Sequence, residues 1–269
     1  MRLVEQAEGI APAAPSEAVA WRDPDGAVAA YGFTIGADHW IRVPGVGSFR
    51  FSGESEEVSS LSEPGVHPAT VLEAYRRAVF PIVLHAHGCE VLHASAVRTE
   101  QGVLALCGPS GAGKSTLAFE LSRRGHRLFG DDAVAFEFAG GAPRARDLPF
   151  ELRLRPDSAE FFGVTSSVQP EEAEVEPAPL AALCLLERTS GPGAPVRVRF
   201  LSPAAAFARV LEHAHFFSLE PIERRRSMVE RYLGLAGRVP TFEVRLRPGL
   251  DDLEQVATTI EAATRRALP

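Results

Sequence analysis

The chain has 269 residues, of which 45% are hydrophobic, so it can hold one large domain or a nucleotide-binding domain with a smaller partner. Its formal net charge of −7 argues against a general binder of nucleic acid or membrane surfaces. No signal peptide opens the chain and no apolar run approaches membrane-spanning length, which together predict a soluble cytoplasmic protein.

The N-terminal part is predicted to be a loose arm followed by a small β layer. Residues 1–26 contain Ala, Pro and Glu without clear periodicity, which is typical of an arm. Residues 27–53 contain three β-like runs, and Pro44-Gly45 marks the turn between the last two. These runs predict a small antiparallel layer.

A connector, a helix and a strand are predicted next. Residues 54–68 are polar and contain Pro and Gly, which indicates a connector. Apolar side chains then recur at helical spacing from Pro68 to His87, and Pro81 should kink or end that helix. Cys89–Val97 predicts one strand, and a tight turn should pair it with the next strand as an antiparallel hairpin.

Residues 102–132 contain the predicted nucleotide-binding site. Val103–Cys107 is an apolar run that predicts a buried strand. Residues 108–115 then fit the phosphate-binding pattern G-x-x-x-x-G-K-[ST], a helix follows, and a short strand ends at Asp131-Asp132. The predicted contacts to nucleotide phosphates are Gly108, Pro109, Ser110, Gly111, Ala112, Gly113, Lys114, Ser115 and Thr116.

Phosphate binding requires this order of residues. The glycines let the backbone curl so that N–H groups point at phosphate oxygens, and the helix N-terminus adds positive potential. Lys114 supplies a compact positive charge, and the Ser115 hydroxyl can ligate Mg²⁺. Lys114 is the only lysine in the chain, which indicates that a guanidinium cannot replace it here.

The remaining chain alternates strands and helices. We predict a strand over 147–155 with Arg153 and Arg155 on one face, where both could reach a transferring phosphate. Residues 165–179 are acidic and Pro-rich, which predicts a mobile surface loop. Further elements are a strand at 133–138, strands at 180–187, 196–201 and 241–246, and helices at 203–212, 221–235 and 253–268. His213 and His215 lie two apart beside a helix end, a spacing that does not suit a metal pair.

The block from His93 to Asp132 resembles the C-terminal catalytic domain of the bacterial HPr kinase/phosphorylase family. The resemblance is carried by the histidine strand VLHASAV, the phosphate-binding loop, the helix end Arg-Arg-Gly-His and the aspartate pair. It implies an α/β fold: a P-loop kinase domain of the phosphoenolpyruvate carboxykinase-like type with a mixed sheet over residues 86–269, preceded by the small antiparallel β layer within residues 1–85. It also implies ATP and Mg²⁺ as cofactors, and suggests a possible homo-oligomer.

Carried over to this chain, the resemblance assigns a role to each site residue. Asp131 would be the base that faces the acceptor hydroxyl, and Asp132 would bind Mg²⁺ together with Ser115. Lys114 and His93 would belong to the same catalytic cluster. The acceptor would be a peptide or protein that bears a serine, and GTP or pyrophosphate remain open as donors.

The sequence departs from the family at two places. The first 85 residues do not resemble the family's separate N-terminal domain, and the glycine-containing signature segments are absent after the aspartates. The layout is closer to shorter HPr-kinase-like proteins, some of which serve ribosomal-peptide pathways such as those of lasso peptides. We therefore expect a serine or threonine kinase, with a small-molecule kinase (for free serine) or a nucleotide-sensing module as alternatives.

Overall fold

The structure is a computed structural model, and it describes residues 2–5, 11–22, 26–53, 55–146, 148, 150–169, 177–189, 194–215 and 222–267. Within these residues the chain divides into two compact units. The first contains the described residues up to Cys89 together with residues 222–225, and the second contains the rest. Residues 222–225, which the sequence assigns to the second domain, thus group with the first unit.

Among the described residues, the first unit contains a six-stranded sheet in the order β1-β6-β5-β4-β3-β2. All neighbouring strands are antiparallel except β1 and β6, which are parallel. The strands are β1 (Arg2–Glu5), β2 (Val19–Arg22), β3 (Val28–Ile35), β4 (Asp38–Val43), β5 (Gly47–Phe51) and β6 (Glu57–Ser62).

Two predictions for this unit were wrong. The arm predicted over 1–26 contains β1 and β2, and the connector predicted over 54–68 contains β6. In β6 the buried positions are Val58 and Ser60. Because Ser60 is polar, the strand lacks the alternation of apolar and polar residues by which a half-buried strand is recognised. The strands between residues 27 and 53 and the turn at Pro44-Gly45 are confirmed.

The predicted helix of this unit is present but contains an irregular turn. It consists of α1 (Pro68–Ala74), a π-helical turn (Tyr75–Val79) and α2 (Phe80–Ala86). Pro81 has no N–H to donate and its ring crowds the carbonyl of the preceding turn, so the wider turn just before it accommodates the proline. The helix buries Val71, Val79 and Val83 in the same core as strand residues such as Phe49.

The second unit contains, among the described residues, a nine-stranded mixed sheet and a separate two-stranded ribbon, β13–β14. The strands are β7 (Glu90–Leu92), β8 (Ala94–Thr99), β9 (Gly102–Cys107), β10 (Arg127–Gly130), β11 (Val134–Ala139), β12 (Ala142–Arg146), β13 (Leu152–Arg153), β14 (Ser167–Val168), β15 (Ala178–Arg188), β16 (Val196–Phe200) and β17 (Thr241–Leu246). The helices are α3 (Lys114–Arg123), α4 (Pro156–Phe162), α5 (Pro203–Leu211), α6 (Ile222–Arg238, of which residues 222–225 belong to the first unit) and α7 (Leu253–Ala267).

The strand β15 organises this sheet. Its first residues pair with β12, and the rest of the strand lies between β9 and β17, parallel to both. Because β9 is central, it is buried on both faces: Leu104 and Leu106 contribute to one apolar cluster, and Val103, Ala105 and Cys107 to the other. The predicted antiparallel hairpin of β8 and β9 is confirmed. Among the described residues, no helix is long and apolar enough to span a membrane.

Three further predictions for this unit need correction. Cys89–Val97 is not one strand, because the chain breaks at His93 between β7 and β8, which pair with different neighbours. Of the described residues in the strand predicted over 147–155, only those of β13 form a strand, and α4 follows it unpredicted. The loop predicted over 165–179 contains β14 and the start of β15, while its residues 170–176 lie outside the described residues.

Candidate active site

The phosphate-binding motif forms a loop between β9 and α3. Gly111 and Gly113 have φ angles of 83° and 103°, a left-handed region that residues with a Cβ rarely adopt. The N–H of Ala112 donates to the carbonyl of Pro109 at 3.1 Å and closes a turn ahead of the helix. Gly113 is the N-cap of the ten-residue helix α3 and offers no side-chain acceptor, so the first N–H groups of the helix are available to an anion.

Lys114 is the first residue of α3, and its side chain is buried. Its Nζ lies 2.9 Å from the carbonyl oxygen of Gly108, 3.4 Å from that of Pro109 and 3.0 Å from Nε2 of His93. An ammonium group has three N–H donors, and these three acceptors match them in number. Burial lowers the pKa of Lys114, while the nearby aspartates oppose that shift.

His93 connects Lys114 to Asp132. Because the ammonium of Lys114 can only donate, Nε2 of His93 must accept, and the ring proton of the neutral imidazole must lie on Nδ1. Nδ1 lies 3.1 Å from the backbone carbonyl of Asp132, which accepts that proton's hydrogen bond. Burial, and then the charge of Lys114, lower the pKa of His93, so the neutral form is the favoured one.

Asp131 is held by three donors. Its Oδ1 accepts from the hydroxyls of Ser95 at 2.6 Å and Ser115 at 2.8 Å, and its Oδ2 accepts from the backbone N–H of Arg153 at 3.0 Å. Burial nevertheless raises the pKa of Asp131, and the three hydrogen bonds only partly oppose this. The carboxylate is thus fixed beside the hydroxyl that the sequence predicts as a metal ligand.

Asp132 has an unusual backbone conformation. Its φ of 66° makes it the one non-glycine residue with a positive φ among the described residues. Its side chain is 41% exposed, and Oδ1 lies 3.5 Å from Nδ1 of His93. Left-handed backbone costs a residue with a Cβ about 1 kcal/mol or more, and such strain is often retained where a site needs a particular geometry.

This strain leads to a stability prediction. We expect Asp132→Gly to be about 1 kcal/mol more stable than Asp132→Ala, because only glycine adopts this φ without cost. Urea denaturation of both variants measures the difference. The matched control is Ala133→Gly, where φ is not positive and the same exchange should cost about 0.5–1 kcal/mol. Equal stability of the two Asp132 variants would contradict the strained backbone.

The side chains of three other predicted site residues, Arg155, Arg153 and Thr116, make different contacts. A Cβ placed on Gly111 would lie only 3.1 Å from Nη2 of Arg155, so the guanidinium of Arg155 lies over the loop. The side chain of Arg153 instead pairs with Glu151 at 3.5 Å. Arg153 and Arg155 therefore do not share a strand face, since Arg155 is the N-cap residue of α4. The hydroxyl of Thr116 lies 3.0 Å from that of Ser158.

His213 and His215 lie close to His93, although they do not form a metal pair on a helix. Both follow the end of α5, and the N–H of His93 donates to the carbonyl of His213 at 2.7 Å. The rings of His93 and His215 are 5.9 Å apart edge to face. Burial lowers the pKa of His213 and of His215 to about 4, so both imidazoles are neutral at neutral pH. Within the described residues, no group of three or more His, Cys, Asp or Glu side chains could hold a metal ion.

Two residues of the site, Ser95 and Arg188, had no role in the predictions from the sequence. Ser95 is the lone hydroxyl in the buried run Ala94–Val97. Because a buried hydroxyl needs a hydrogen-bond partner, its position in an apolar strand could have indicated a polar contact. Arg188 ends β15, and its Nε lies 3.4 Å from the carbonyl oxygen of Ala112. Because β15 is parallel to β9, its C-terminal end lies at the same sheet edge as the loop, where ligands commonly bind.

Comparisons with known proteins add little to this geometry. No family model matches the chain, and no curated protein matches it. Among solved structures, the chain is similar to the Hpr(Ser) kinase/phosphatase from Coxiella burnetii, with 15% sequence identity and a TM-score of 0.36. That alignment covers 65% of this chain and 91% of the other. The similarity is distant, and the function is therefore inferred from the side-chain geometry.

Proposed function

We propose that this chain is an ATP- and Mg²⁺-dependent kinase that transfers the γ-phosphate to a serine or threonine hydroxyl of a peptide or protein. One observation carries the proposal: the Ser115 hydroxyl, at the head of the phosphate-binding helix, contacts Asp131 at 2.8 Å. A module that only bound Mg²⁺-nucleotide would need the loop, Lys114 and one carboxylate for the ion, whereas two adjacent aspartates beside the loop leave Asp131 for the acceptor hydroxyl. Phosphoryl transfer needs that carboxylate, because the acceptor hydroxyl must be oriented and must lose its proton.

The residues present fit a magnesium ion. Mg²⁺ prefers oxygen ligands and commonly combines one or two protein oxygens with phosphate oxygens and water. The Ser115 hydroxyl and the aspartate pair offer such oxygens, with Asp132 as the metal partner predicted from the sequence. When bound, the ion would neutralise charge on the β- and γ-phosphates.

The chain's own residues would perform the other tasks. The amides of the loop and Lys114 would hold the polyphosphate. Asp131 would orient the acceptor hydroxyl and take its proton while the acceptor oxygen bonds to the γ-phosphorus and the bond to the β,γ-bridging oxygen breaks. A raised pKa suits this role, because a stronger base accepts the proton more readily.

The acceptor is proposed from the sequence alone. A serine in a peptide or protein, such as a ribosomal precursor of the lasso type, is the first choice, and the protein would act as a cytoplasmic enzyme. The test is to incubate the purified protein with γ-labelled ATP, Mg²⁺ and the peptides encoded beside its gene, then to locate the label by mass spectrometry. Label on a peptide serine or threonine supports the proposal.

Two other outcomes identify the alternatives. Label on free serine, offered as a competing acceptor, would make the protein a small-molecule kinase. Nucleotide binding without label on any acceptor, peptides from a cell extract included, would favour a nucleotide-sensing module. The Asp131→Asn variant is the control: undiminished label in that variant would mean that a contaminating kinase produced it or that Asp131 is not the base.

The pH dependence of transfer is expected to report on Asp131. Transfer needs its ionised form, so the rate should fall as the pH is lowered through the raised pKa. The Ser95 hydroxyl donates to this carboxylate and lowers its pKa, so Ser95→Ala should move the acid limb to higher pH. The pH–rate profile measures both effects.

A matched substitution controls for the loss of a hydroxyl. Ser122 lies on α3, and its hydroxyl bonds to the carbonyl of Phe119 within the same helix. Ser122→Ala should therefore leave the acid limb where it is in the unmodified protein. If Ser95→Ala also leaves it unchanged, or moves it to lower pH, Asp131 is not the group whose ionisation limits transfer.

A further inference from the structure

Two arginine side chains from different elements lie over residues 111–113 of the phosphate-binding loop. Arg155 precedes α4, and Arg188 is the last residue of β15. A Cβ on Gly111 would lie 3.1 Å from Nη2 of Arg155, and a Cβ on Gly113 would lie 3.5 Å from Nη2 of Arg188. The absence of a side chain at Gly111 and at Gly113 thus leaves room for both guanidinium groups.

The register of the sheet explains why Arg188 reaches the loop. Leu185 of β15 pairs with Cys107, the last residue of β9. The carbonyl oxygen of Leu186 would be 2.9 Å from a Cβ on Gly108, so the backbone of β15 runs directly beside the start of the loop. Arg188 follows Leu186 by two residues on the same strand, so the pairing of β15 with β9 positions it next to the loop.

The charges at this place are unbalanced. Both arginines are exposed, and within the part of the chain that the structure describes neither has a carboxylate within ion-pair distance, whereas Arg124 and Arg199 are paired with Glu261 and Glu243. This occurs in a chain with a net charge of −7, where carboxylates are in excess. The helix N-terminus adds further positive potential. Asp131 and Asp132 lie near Lys114, but the charges of Arg155 and Arg188 are not balanced by a described ion pair, so this side of the loop is suited to a ligand with several negative charges.

We propose that Arg155 and Arg188 form a guanidinium clamp that binds the phosphate chain of the donor, so that the loop selects ligands with two or more linked phosphates. The clamp rests on the proposed function, since it assumes that the loop holds a polyphosphate. Guanidinium forks match phosphate oxygens geometrically, and two of them can contact phosphates that the loop amides leave exposed. A single phosphate would accept hydrogen bonds from the loop amides, and the two arginines would add little to its affinity.

The test is a comparison of affinities by isothermal titration calorimetry in the presence of Mg²⁺. The probes are ADP and inorganic pyrophosphate, with AMP as the monophosphate. We expect Arg188→Gln and Arg155→Gln each to weaken ADP and pyrophosphate binding by roughly 10- to 100-fold and AMP binding by less than about threefold. Arg188→Lys keeps the charge but loses the fork, so it should fall between the wild type and Arg188→Gln.

The control is Arg197→Gln, which removes the same charge from an exposed position on β16 and should leave every affinity unchanged. If both loop variants bind ADP and pyrophosphate as tightly as the control, the clamp is wrong, whereas the proposed kinase function is not affected. If polyphosphate binding depends on both arginines but no acceptor is ever phosphorylated, the clamp stands and the kinase proposal fails. Equal losses for AMP and ADP would also overturn the clamp.

Discussion

Replacing Asp131 with asparagine is expected to lower the rate of phosphoryl transfer by about 10³-fold and to change nucleotide affinity by less than about threefold. The amide has the size of the carboxyl, and its one oxygen can still accept from Ser95 and Ser115, while the hydrogen bond from the Arg153 N–H is lost. It cannot take a proton from an acceptor hydroxyl. Single-turnover transfer and calorimetry with ADP measure the two quantities separately.

The neighbouring aspartate provides the matched control. Asp132→Asn makes the same chemical change one residue further along, on the more exposed carboxylate. If Asp132 binds the metal, this variant should need more Mg²⁺ for half-maximal transfer, with a smaller loss at saturating Mg²⁺. The opposite pattern, with a raised Mg²⁺ requirement in Asp131→Asn, would exchange the two roles. Because Ser115 contacts Asp131, this pair of variants is the sharpest test of the division of labour.

The sequence was sufficient for the parts of the fold that depend on local pattern. The strand β9 is buried on both faces, so its apolar run is continuous and easily read. The loop glycines have their required conformations at 111 and 113 because the motif encodes them. The helix α3 begins at the motif lysine for the same reason.

The parts that the sequence did not reveal depend on contacts between distant residues. The break at His93 arises because β7 pairs with β11 while β8 pairs with β9. The local sequence pattern does not show that the neighbouring strand changes at this residue. The Ser95–Asp131 hydrogen bond joins residues that are 36 positions apart. The position of Arg155 follows from the start of α4, which periodicity did not show in so short a helix.

Lys114 is the residue for which we expect the second large effect. Three acceptors surround its Nζ, from Gly108, Pro109 and His93, and they satisfy the ammonium before any ligand arrives. A bound phosphate would offer charged oxygens in their place. The buried ammonium, whose pKa burial lowers, would also gain a negative charge that favours its protonated form.

We therefore expect Lys114→Arg to weaken ADP binding by about 10- to 100-fold and transfer by about 10³-fold, although it keeps the positive charge. A planar guanidinium is larger than an ammonium and cannot direct donors at three acceptors that converge on one buried point. Arg197→Lys, the reverse exchange on the exposed face of β16, should change neither quantity. Should Lys114→Arg bind ADP and transfer phosphate as well as the unmodified protein, the site would need only a positive charge here. The single lysine of the chain would then reflect composition rather than the geometry of the phosphate-binding loop.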